Sequence, residues 1–211
     1  MTDQDTLPGN TKVTRQDWLD AAQAILVSDG VERVKVLTLA QRLDVSRSSF
    51  YWYFQSRKEL LTALLDHWIA TNTKALVSHS HADQPTITAA ICNVFICFID
   101  EARFNNRLDF AVRDWARRSP DVRKVLRQSD DQRLDALATM FSRHGYTPED
   151  SRIRARVLYY MQIGYTDADL QETTQERLDQ VAQYIIAFTG KHASQGEMAQ
   201  FRDTVLKLDQ S

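Results

Sequence analysis

The chain has 211 residues, of which 43% are hydrophobic and 26% charged, and its formal net charge is −2. This ordinary globular composition argues against a disordered chain. The longest nearly apolar stretch, Ile91 to Ile99, is far shorter than the roughly 20 residues of a membrane-spanning helix, so we expect no membrane partner. The N-terminus is acidic and polar, unlike a secretory signal, and a cytoplasmic location is therefore expected.

Few turn-forming residues are available, because the chain contains only 6 Gly and 4 Pro. Long helices with short connections fit this scarcity better than many short strands, which predicts an all-α fold. The two cysteines, Cys92 and Cys97, lie five residues apart in an apolar helical pattern. That spacing sets them roughly 140° apart around a helix, which favours buried, reduced thiols over a disulfide or a shared metal.

The N-terminal elements begin after a polar stretch, residues 1–13, that is expected to be a flexible arm. Thr14 and Asp17 form the pattern of a capping box, which starts a first helix that Gly30 ends. A short second helix carries Leu39–Leu43, and Ser46 is a suitable N-cap for a third, Arg47 to Phe54. Ser56 then caps one long fourth helix whose apolar face continues to Leu76.

Further amphipathic helices fill the rest of the chain, and the sequence predicts nine or ten in all. Ser119-Pro120 and Thr147-Pro148 each have the pattern of an N-cap followed by a first-turn proline. Long helices are expected around residues 149–164 and 174–189. The stretch His79-Ser80-His81 falls in a predicted loop with no partner cluster, so no metal site is expected there.

The segment Leu39–Phe54 has the physical pattern of a helix-turn-helix. Two short helices that cross steeply need a residue between them that tolerates a left-handed backbone, and Asp44 is acceptable there. Ala40 is small at the expected helix contact. The third helix then exposes polar and aromatic groups that can reach phosphates or base edges: Arg47, Ser48, Ser49, Tyr51, Trp52 and Tyr53.

Bulk charge does not support nucleic-acid binding, because residues 1–61 hold eight Lys/Arg and eight Asp/Glu. The prediction therefore depends on where the charges lie. Two further readings stay open. One is an interaction module that keeps the fold and has lost DNA binding. The other is an enzyme, although no phosphate-binding loop, dinucleotide motif, metalloprotease motif or nucleophile elbow is present.

The string Leu39–Phe54, together with Ser56–Leu61 after it, resembles the signature of the tetracycline-repressor (TetR/AcrR) family. The resemblance implies an all-α chain with a three-helix helix-turn-helix DNA-binding domain at residues 14–60. Residues 61–211 would form a larger helical bundle for ligand binding and dimerisation. The implied function is that of a ligand-responsive transcriptional repressor and not of an enzyme. It would bind a palindromic operator as a homodimer. No cofactor is expected, but a small-molecule effector is.

The resemblance also implies roles by position. Arg47 and Ser48 lie where family members read bases, and Arg57 lies where a phosphate-binding Lys is usual. The set of DNA-binding residues implied is Lys35, Thr38, Arg47, Ser48, Ser49, Tyr51, Trp52, Tyr53, Arg57 and Lys58. Two positions depart from the family pattern: Asp44 replaces the usual turn Gly, and Leu37 stands where some members carry a base-reading Arg.

For the larger domain, aromatic residues beyond the needs of a minimal core suggest a ligand pocket, although any one of them can be ordinary core. The candidates are Trp68, Phe95, Phe98, Phe110, Arg113, Trp115, Phe141 and Tyr159. Arg113 and Asp114 are expected to form a buried structural pair or else an anchor for a ligand. The candidates for the dimer interface are Tyr160, Met161, Gly164, Val181, Ile185 and Phe188.

Overall fold

The computed structural model of the protein describes residues 13–168 and 170–210. The described residues form eleven α-helices without any strand, which confirms the all-α fold class. By its contacts the chain divides between Leu65 and Asp66 into two compact units, called here the N-terminal and the C-terminal unit. The predicted flexible arm lies, apart from Val13, outside the described residues.

The N-terminal unit contains α1 (Arg15–Asp29), α2 (Val36–Arg42), α3 (Arg47–Phe50) and the first part of α4 (Arg57–Trp68). The predicted capping box starts α1, with the Thr14 and Asp17 side chains bonding to each other's backbone N–H. The helix ends at Gly30, whose φ of 79° suits a residue without Cβ. The fully buried Trp18 contacts Phe50 edge-on, with ring centroids 5.3 Å apart, and so fixes α3 on α1.

The third helix is shorter than predicted. It ends at Phe50, and residues 51–53 form a turn in which Tyr51 and Trp52 donate to carbonyls three residues back. The next helix, α4, begins soon afterwards, because Ser56 accepts from the Glu59 N–H and caps it. The i to i+3 bonds give a tighter turn than an α-helix between α3 and that cap.

The C-terminal unit holds the remaining helices. They are α5 (Lys74–His81), α6 (Ile87–Ile99), α7 (Asn106–Arg118), α8 (Pro120–Arg143), α9 (Pro148–Asp167), α10 (Thr174–Thr189) and α11 (Gln195–Leu208). The caps predicted at Ser119-Pro120 and Thr147-Pro148 are present. The predicted loop at His79–His81 is wrong, because α5 runs to His81. Asn93 of α6 donates to the His79 carbonyl and so satisfies this helix end.

The predicted fourth helix is interrupted. A π-helical turn, Ile69–Thr73, separates α4 from α5, so the fourth helix is two helices with a local widening between them. The turn carries buried polar side chains, and Asn72 exchanges two hydrogen bonds with the backbone of Asn105. π-Helical turns of this kind are rare within α-helices. Here the two hydrogen bonds of the Asn72 amide hold the widened turn against the backbone of Asn105.

The core of the C-terminal unit is centred on α6, which buries Ile91, Val94 and Cys97 completely. Both cysteines are free and buried, as predicted, and burial raises the pKa of the Cys92 and Cys97 thiols to about 12. In the described part of the chain, no helix is long and apolar enough to cross a membrane. Among the same residues, no three potential metal ligands lie close enough together to hold an ion.

Candidate functional site

The turn between α2 and α3 has the geometry that a helix-turn-helix requires. Asp44 adopts φ of 52°, and it is the one non-glycine residue with positive φ in the described ranges. This confirms the expectation of a left-handed residue at this position. The Val45 N–H donates to the Ala40 carbonyl at 3.0 Å and closes the end of α2. The turn therefore holds α2 and α3 at a fixed crossing, and the outward side of α3 is presented to solvent.

The side chains predicted to contact DNA lie mostly on this open surface. Trp52 is 74% and Tyr51 is 55% exposed, and such exposure is unusual for large aromatic side chains. The polar members are exposed as well: Lys35, Thr38, Arg47, Ser48 and Lys58. The half-buried Ser49 is an exception, since its hydroxyl donates to the Ser46 carbonyl at 2.7 Å.

Two of the predicted phosphate ligands are engaged in the fold itself. The Tyr53 hydroxyl donates to the Val13 carbonyl at 2.6 Å and so ties the residue before α1 to the turn after α3. Arg57 donates through Nε to the Val34 carbonyl at 2.5 Å and through Nη2 to the Val31 carbonyl at 2.6 Å. These bonds hold the segment before α2 against the start of α4, a role that sequence reasoning missed.

The charges of the N-terminal unit are unevenly distributed. Residues 33–58 carry six Lys/Arg and a single acid, Asp44. The acids of α1 are engaged locally: Asp17 closes the capping box and Asp20 accepts from Gln16. Within residues 13–65 as described, no Lys or Arg forms a salt bridge. The unit is neutral in total, but its helix-turn-helix half is basic and its cations remain without acidic partners.

The C-terminal unit contains a cavity of about 970 Å³ between α6, α7, α9, α10 and α11. Three of the predicted pocket residues line it, namely Phe95, Phe98 and Phe110. Sequence reasoning missed three more aromatic residues in the lining, Tyr165, Tyr184 and Phe201. Their helical spacing could not mark them as pocket residues, because aromatic residues of the core have the same spacing.

The other predicted pocket residues do not line this cavity. They are Trp68, Arg113, Trp115, Phe141 and Tyr159. Trp115 and Phe141 are buried in the packing of the unit. The other three belong to a polar network, because the indole of Trp68 donates to Asp109 at 2.8 Å and the Tyr159 hydroxyl accepts from Arg113 at 2.7 Å. Buried polar atoms need such partners, and these three side chains therefore face one another.

At the centre of this network, Asp109 joins two arginines. It accepts from Arg133 and from Arg113, each at 2.9 Å, and Arg113 also pairs with Asp130 at 2.9 Å. Burial opposes ionisation of Asp109, but the charges of Arg133 and Arg113 outweigh it and hold its pKa below the usual range. Two acids thus compensate two arginines inside the unit, as buried charges require.

The network corrects the predicted pairing of Arg113 with Asp114. Asp114 lies at the surface and approaches Arg118 at 3.4 Å, whereas Arg113 turns inward to Asp109 and Asp130. Asp109 and Asp114 each lie four residues before the arginine that they meet on α7, the spacing at which helical side chains are neighbours, whereas the adjacent Arg113 and Asp114 point in different directions. Arg113 turns inward, and an inward arginine needs an inward acid.

Some of the predicted dimer residues are buried and others are exposed. Val181, Ile185 and Phe188 are buried in the core of their own unit, which removes them from any surface available to a partner. Met161 and Val181 line the cavity. On α9, by contrast, the exposed apolar residues Ile153, Val157 and Tyr160 form one stripe, and Gly164 continues it.

A helix-turn-helix unit with a basic half, joined to a helical unit with a large cavity, defines the class of helix-turn-helix regulators. Comparison with known proteins bears on the first of these units. Residues 19–64 match the family model described as "Bacterial regulatory proteins, tetR family". The N-terminal unit thus matches the family that its motif predicts.

Similar proteins are named as transcriptional regulators or repressors. The chain is 37% identical over 54 residues to the uncharacterized HTH-type transcriptional regulator TtgW of Pseudomonas putida, covering 26% of this chain and 40% of that protein. It is 25% identical over 154 residues to the class A tetracycline repressor protein of Escherichia coli, covering 73% and 66%. The matches to TtgW and to the P. putida regulator TtgR thus span 40% and 25% of those proteins.

Solved structures agree on the fold. SmeT of Stenotrophomonas maltophilia aligns with a TM-score of 0.60 at 21% identity, covering 90% of this chain and 95% of SmeT. AmtR of Mycobacterium smegmatis aligns with a TM-score of 0.62 at 17% identity, covering 97% and 98%. TtgW, the class A tetracycline repressor protein and SmeT are known as regulators or repressors and not as enzymes, in agreement with the predicted class.

Proposed function

We propose that the protein is a transcriptional repressor that binds a palindromic operator as a homodimer and releases it when a small molecule binds. The observation that carries the proposal is the helix-turn-helix at Leu39–Phe54, whose exposed cations have no acidic partner in the described part of the unit. Unpaired surface cations beside a recognition helix match the negative charge of DNA. Such a repressor acts in the cytoplasm, in contact with the chromosome.

Contacts to DNA follow from the exposed groups. Arg47 and Ser48, in the first turn of α3, are the base readers, because the N-terminal end of a recognition helix enters the major groove. Lys35, Thr38 and Lys58 are the phosphate contacts, and the exposed rings of Tyr51 and Trp52 pack on the sugar-phosphate backbone. Tyr53 and Arg57 support this surface from behind through their bonds to backbone carbonyls.

The dimer forms through α9 in this proposal. Ile153, Val157 and Tyr160 expose large apolar side chains four and three residues apart, so they form one face of the helix. A contiguous apolar stripe of this kind is typical of an interaction site. Two-fold pairing is needed in addition because a single short recognition helix reads few base pairs. Two helices about 34–36 Å apart read a palindrome.

The effector occupies the cavity of the C-terminal unit. Its lining of aromatic and aliphatic side chains with a few polar groups is typical of sites for small molecules. Helix α7 links this cavity to α4, because Asn106 and Phe110 line the cavity whereas Asp109 binds the indole of Trp68. An effector that prefers a shifted α7 therefore shifts the population of α4 conformations, and a coupling of about 1–3 kcal/mol is typical of such regulation.

The test is selection of bound sequences from random duplex DNA by the purified protein at two salt concentrations. We expect an enriched palindrome whose affinity falls steeply with salt, since phosphate contacts release counterions. A chain with Lys35 and Lys58 both changed to Ala serves as the matched control and is expected to lose part of the salt dependence. Enrichment of no sequence, with no salt-dependent binding, would contradict the proposal and favour an interaction module.

A further inference from the structure

Leu37 is an exposed leucine on the basic half of the N-terminal unit. It lies in the first turn of α2 and is 51% exposed. The inward face of α2 consists of Leu39 and Ala40, which are buried, with Val36 and Leu43 half-buried beside them. At 100° per residue, Leu37 points about 110° away from that face. Its side chain therefore lies off the core-facing side of α2, and half of it is open to solvent.

The neighbours of Leu37 are polar and basic. Thr38, Gln41 and Arg42 share the outward side of α2 with it, and all three are exposed. Lys35 lies two residues before it. Arg57 binds the Val34 carbonyl, which brings the start of α4, and Lys58 with it, to the same end of α2. An exposed leucine beside polar side chains and unpaired cations does not suit an apolar protein partner, but it suits a polyanion that also offers an apolar group.

Duplex DNA offers one such group in the major groove. Thymine carries a 5-methyl group at its groove edge, and apolar side chains recognise it by contact. Leucine cannot donate or accept a hydrogen bond, so of the groups displayed in the groove it discriminates only this methyl. The phosphates on either side of the groove would meet Lys35 and Lys58.

We propose that Leu37 is a specificity-determining residue that packs on the 5-methyl group of one thymine in each operator half-site. The inference rests on the proposed DNA-binding function and adds a base preference that neither Arg47 nor Ser48 supplies. It requires a thymine at one fixed position of the half-site, on the side contacted by α2.

The test uses the full-length protein and the operator obtained by selection. Each thymine of a half-site is replaced in turn by deoxyuridine, which lacks only the methyl group, and affinity is measured by fluorescence anisotropy. We expect binding to weaken about three- to fivefold at one position, the effect of one buried methyl group. In Leu37→Ala, thymine and deoxyuridine at that position should bind equally.

Two control variants separate the alternatives. Lys58→Ala should weaken binding to every duplex and keep the deoxyuridine penalty, because a phosphate contact does not see the base. Leu206→Ala removes an exposed leucine of α11 and should change neither. Circular dichroism checks that Leu37→Ala is folded.

Three results would overturn the inference. One is a half-site without thymine, another is a wild-type protein indifferent to every replacement, and the third is a penalty that persists in Leu37→Ala. Failure of the proposed function is distinguishable, because then no operator is enriched before any deoxyuridine duplex is made.

Discussion

The two units of the protein treat their charges in opposite ways. In the C-terminal unit, Arg133 and Asp109 are buried and bonded at 2.9 Å, and Arg113 and Asp130 extend the pairing. In the N-terminal unit, Arg47 and Lys58 are exposed, and no salt bridge occurs between residues 13 and 65 as described. Charges that stabilise a fold are placed beside their partners, whereas charges kept for a ligand remain open.

The acids of the N-terminal unit show how this separation arises. Asp17 and Glu59 bind backbone N–H groups at the starts of α1 and α4, and hydrogen bonds from Thr14 hold the pKa of Asp17 below its usual range. These carboxylates are used as helix caps, so they are not available to neutralise the cations of α2 and α3. A unit with equal numbers of acids and bases can therefore present a basic surface.

The largest expected effect comes from breaking the buried pairing. In Asp109→Asn, Arg133 loses its acidic partner while Arg113 keeps Asp130, and we expect the free energy of unfolding to fall by about 3–5 kcal/mol. Adding Arg133→Met should recover part of the loss, because Arg113 and Asp130 then balance each other. Chemical denaturation measures both.

The surface pair Arg118–Asp114 is the matched control for this experiment. Asp114→Asn should change the free energy of unfolding by less than about 1 kcal/mol, since exposed ion pairs contribute little. If Asp109→Asn proved as mild as Asp114→Asn, the buried network would not be a stabilising element of the C-terminal unit.

Arg47→Ala should show the opposite behaviour, with stability retained and recognition impaired. Arg47 is exposed and has no partner in the described structure that its loss would leave unsatisfied. We expect discrimination between operator variants to weaken by about 1–3 kcal/mol at one position of each half-site. Binding to a panel of single-base operator variants, with thermal unfolding alongside, measures both quantities. Unchanged discrimination would remove Arg47 from the base readers.

Arg57 is the exception that sharpens the comparison, because it is a cation of the N-terminal unit with a structural role. Arg57→Ala removes the side-chain donor of the Val34 and Val31 carbonyls, although Val31 still accepts from the Val34 N–H, and a loss of about 1–2 kcal/mol in stability is expected. Lys58→Ala, one residue further, should cost almost no stability and weaken DNA binding. Denaturation and salt-dependent binding distinguish the two. Equal stability of both variants would contradict the assigned role of Arg57.

The smallest expected effect concerns acid stability. Burial raises the pKa of Glu197, but hydrogen bonds from Thr86, Ser194 and Thr88 outweigh it and lower the pKa to about 2. A depressed carboxylate stabilises the fold above its unfolded pKa, 4.5, and that stability is lost as pH falls towards 2.

Glu197→Gln should therefore be less stable than wild type by about 1 kcal/mol at pH 6, because the site is partly solvated, and equal to it near pH 2. Thermal unfolding across this range is the measurement, with the exposed Glu101→Gln as the control variant. A difference that did not shrink in acid would show that the carboxylate charge is not what binds α11 to α6.

Much of the fold and of the proposed DNA-contact surface was predictable because the signals are local. Thr14, Ser119 and Thr147 bond within three residues of themselves, so their caps can be read without knowledge of the tertiary structure. Asp44 likewise reports a backbone conformation that depends on its immediate turn. The recognition motif extends over a single short segment, and its exposed side follows from helical periodicity.

What the sequence by itself determined is thus the class of the protein: its helices, their caps, the helix-turn-helix and the outward direction of Arg47. Only the tertiary structure decided which partner each inward group meets. Periodicity shows that Arg113 and Tyr159 face inward but not that Asp130 and Arg133 lie opposite them. Nor does it show that Arg57 reaches two carbonyls more than twenty residues earlier, or that Phe201 lines a cavity whereas Phe141 fills the core. Those contacts join residues distant in the chain, and packing between helices, not the pattern within one helix, decides them.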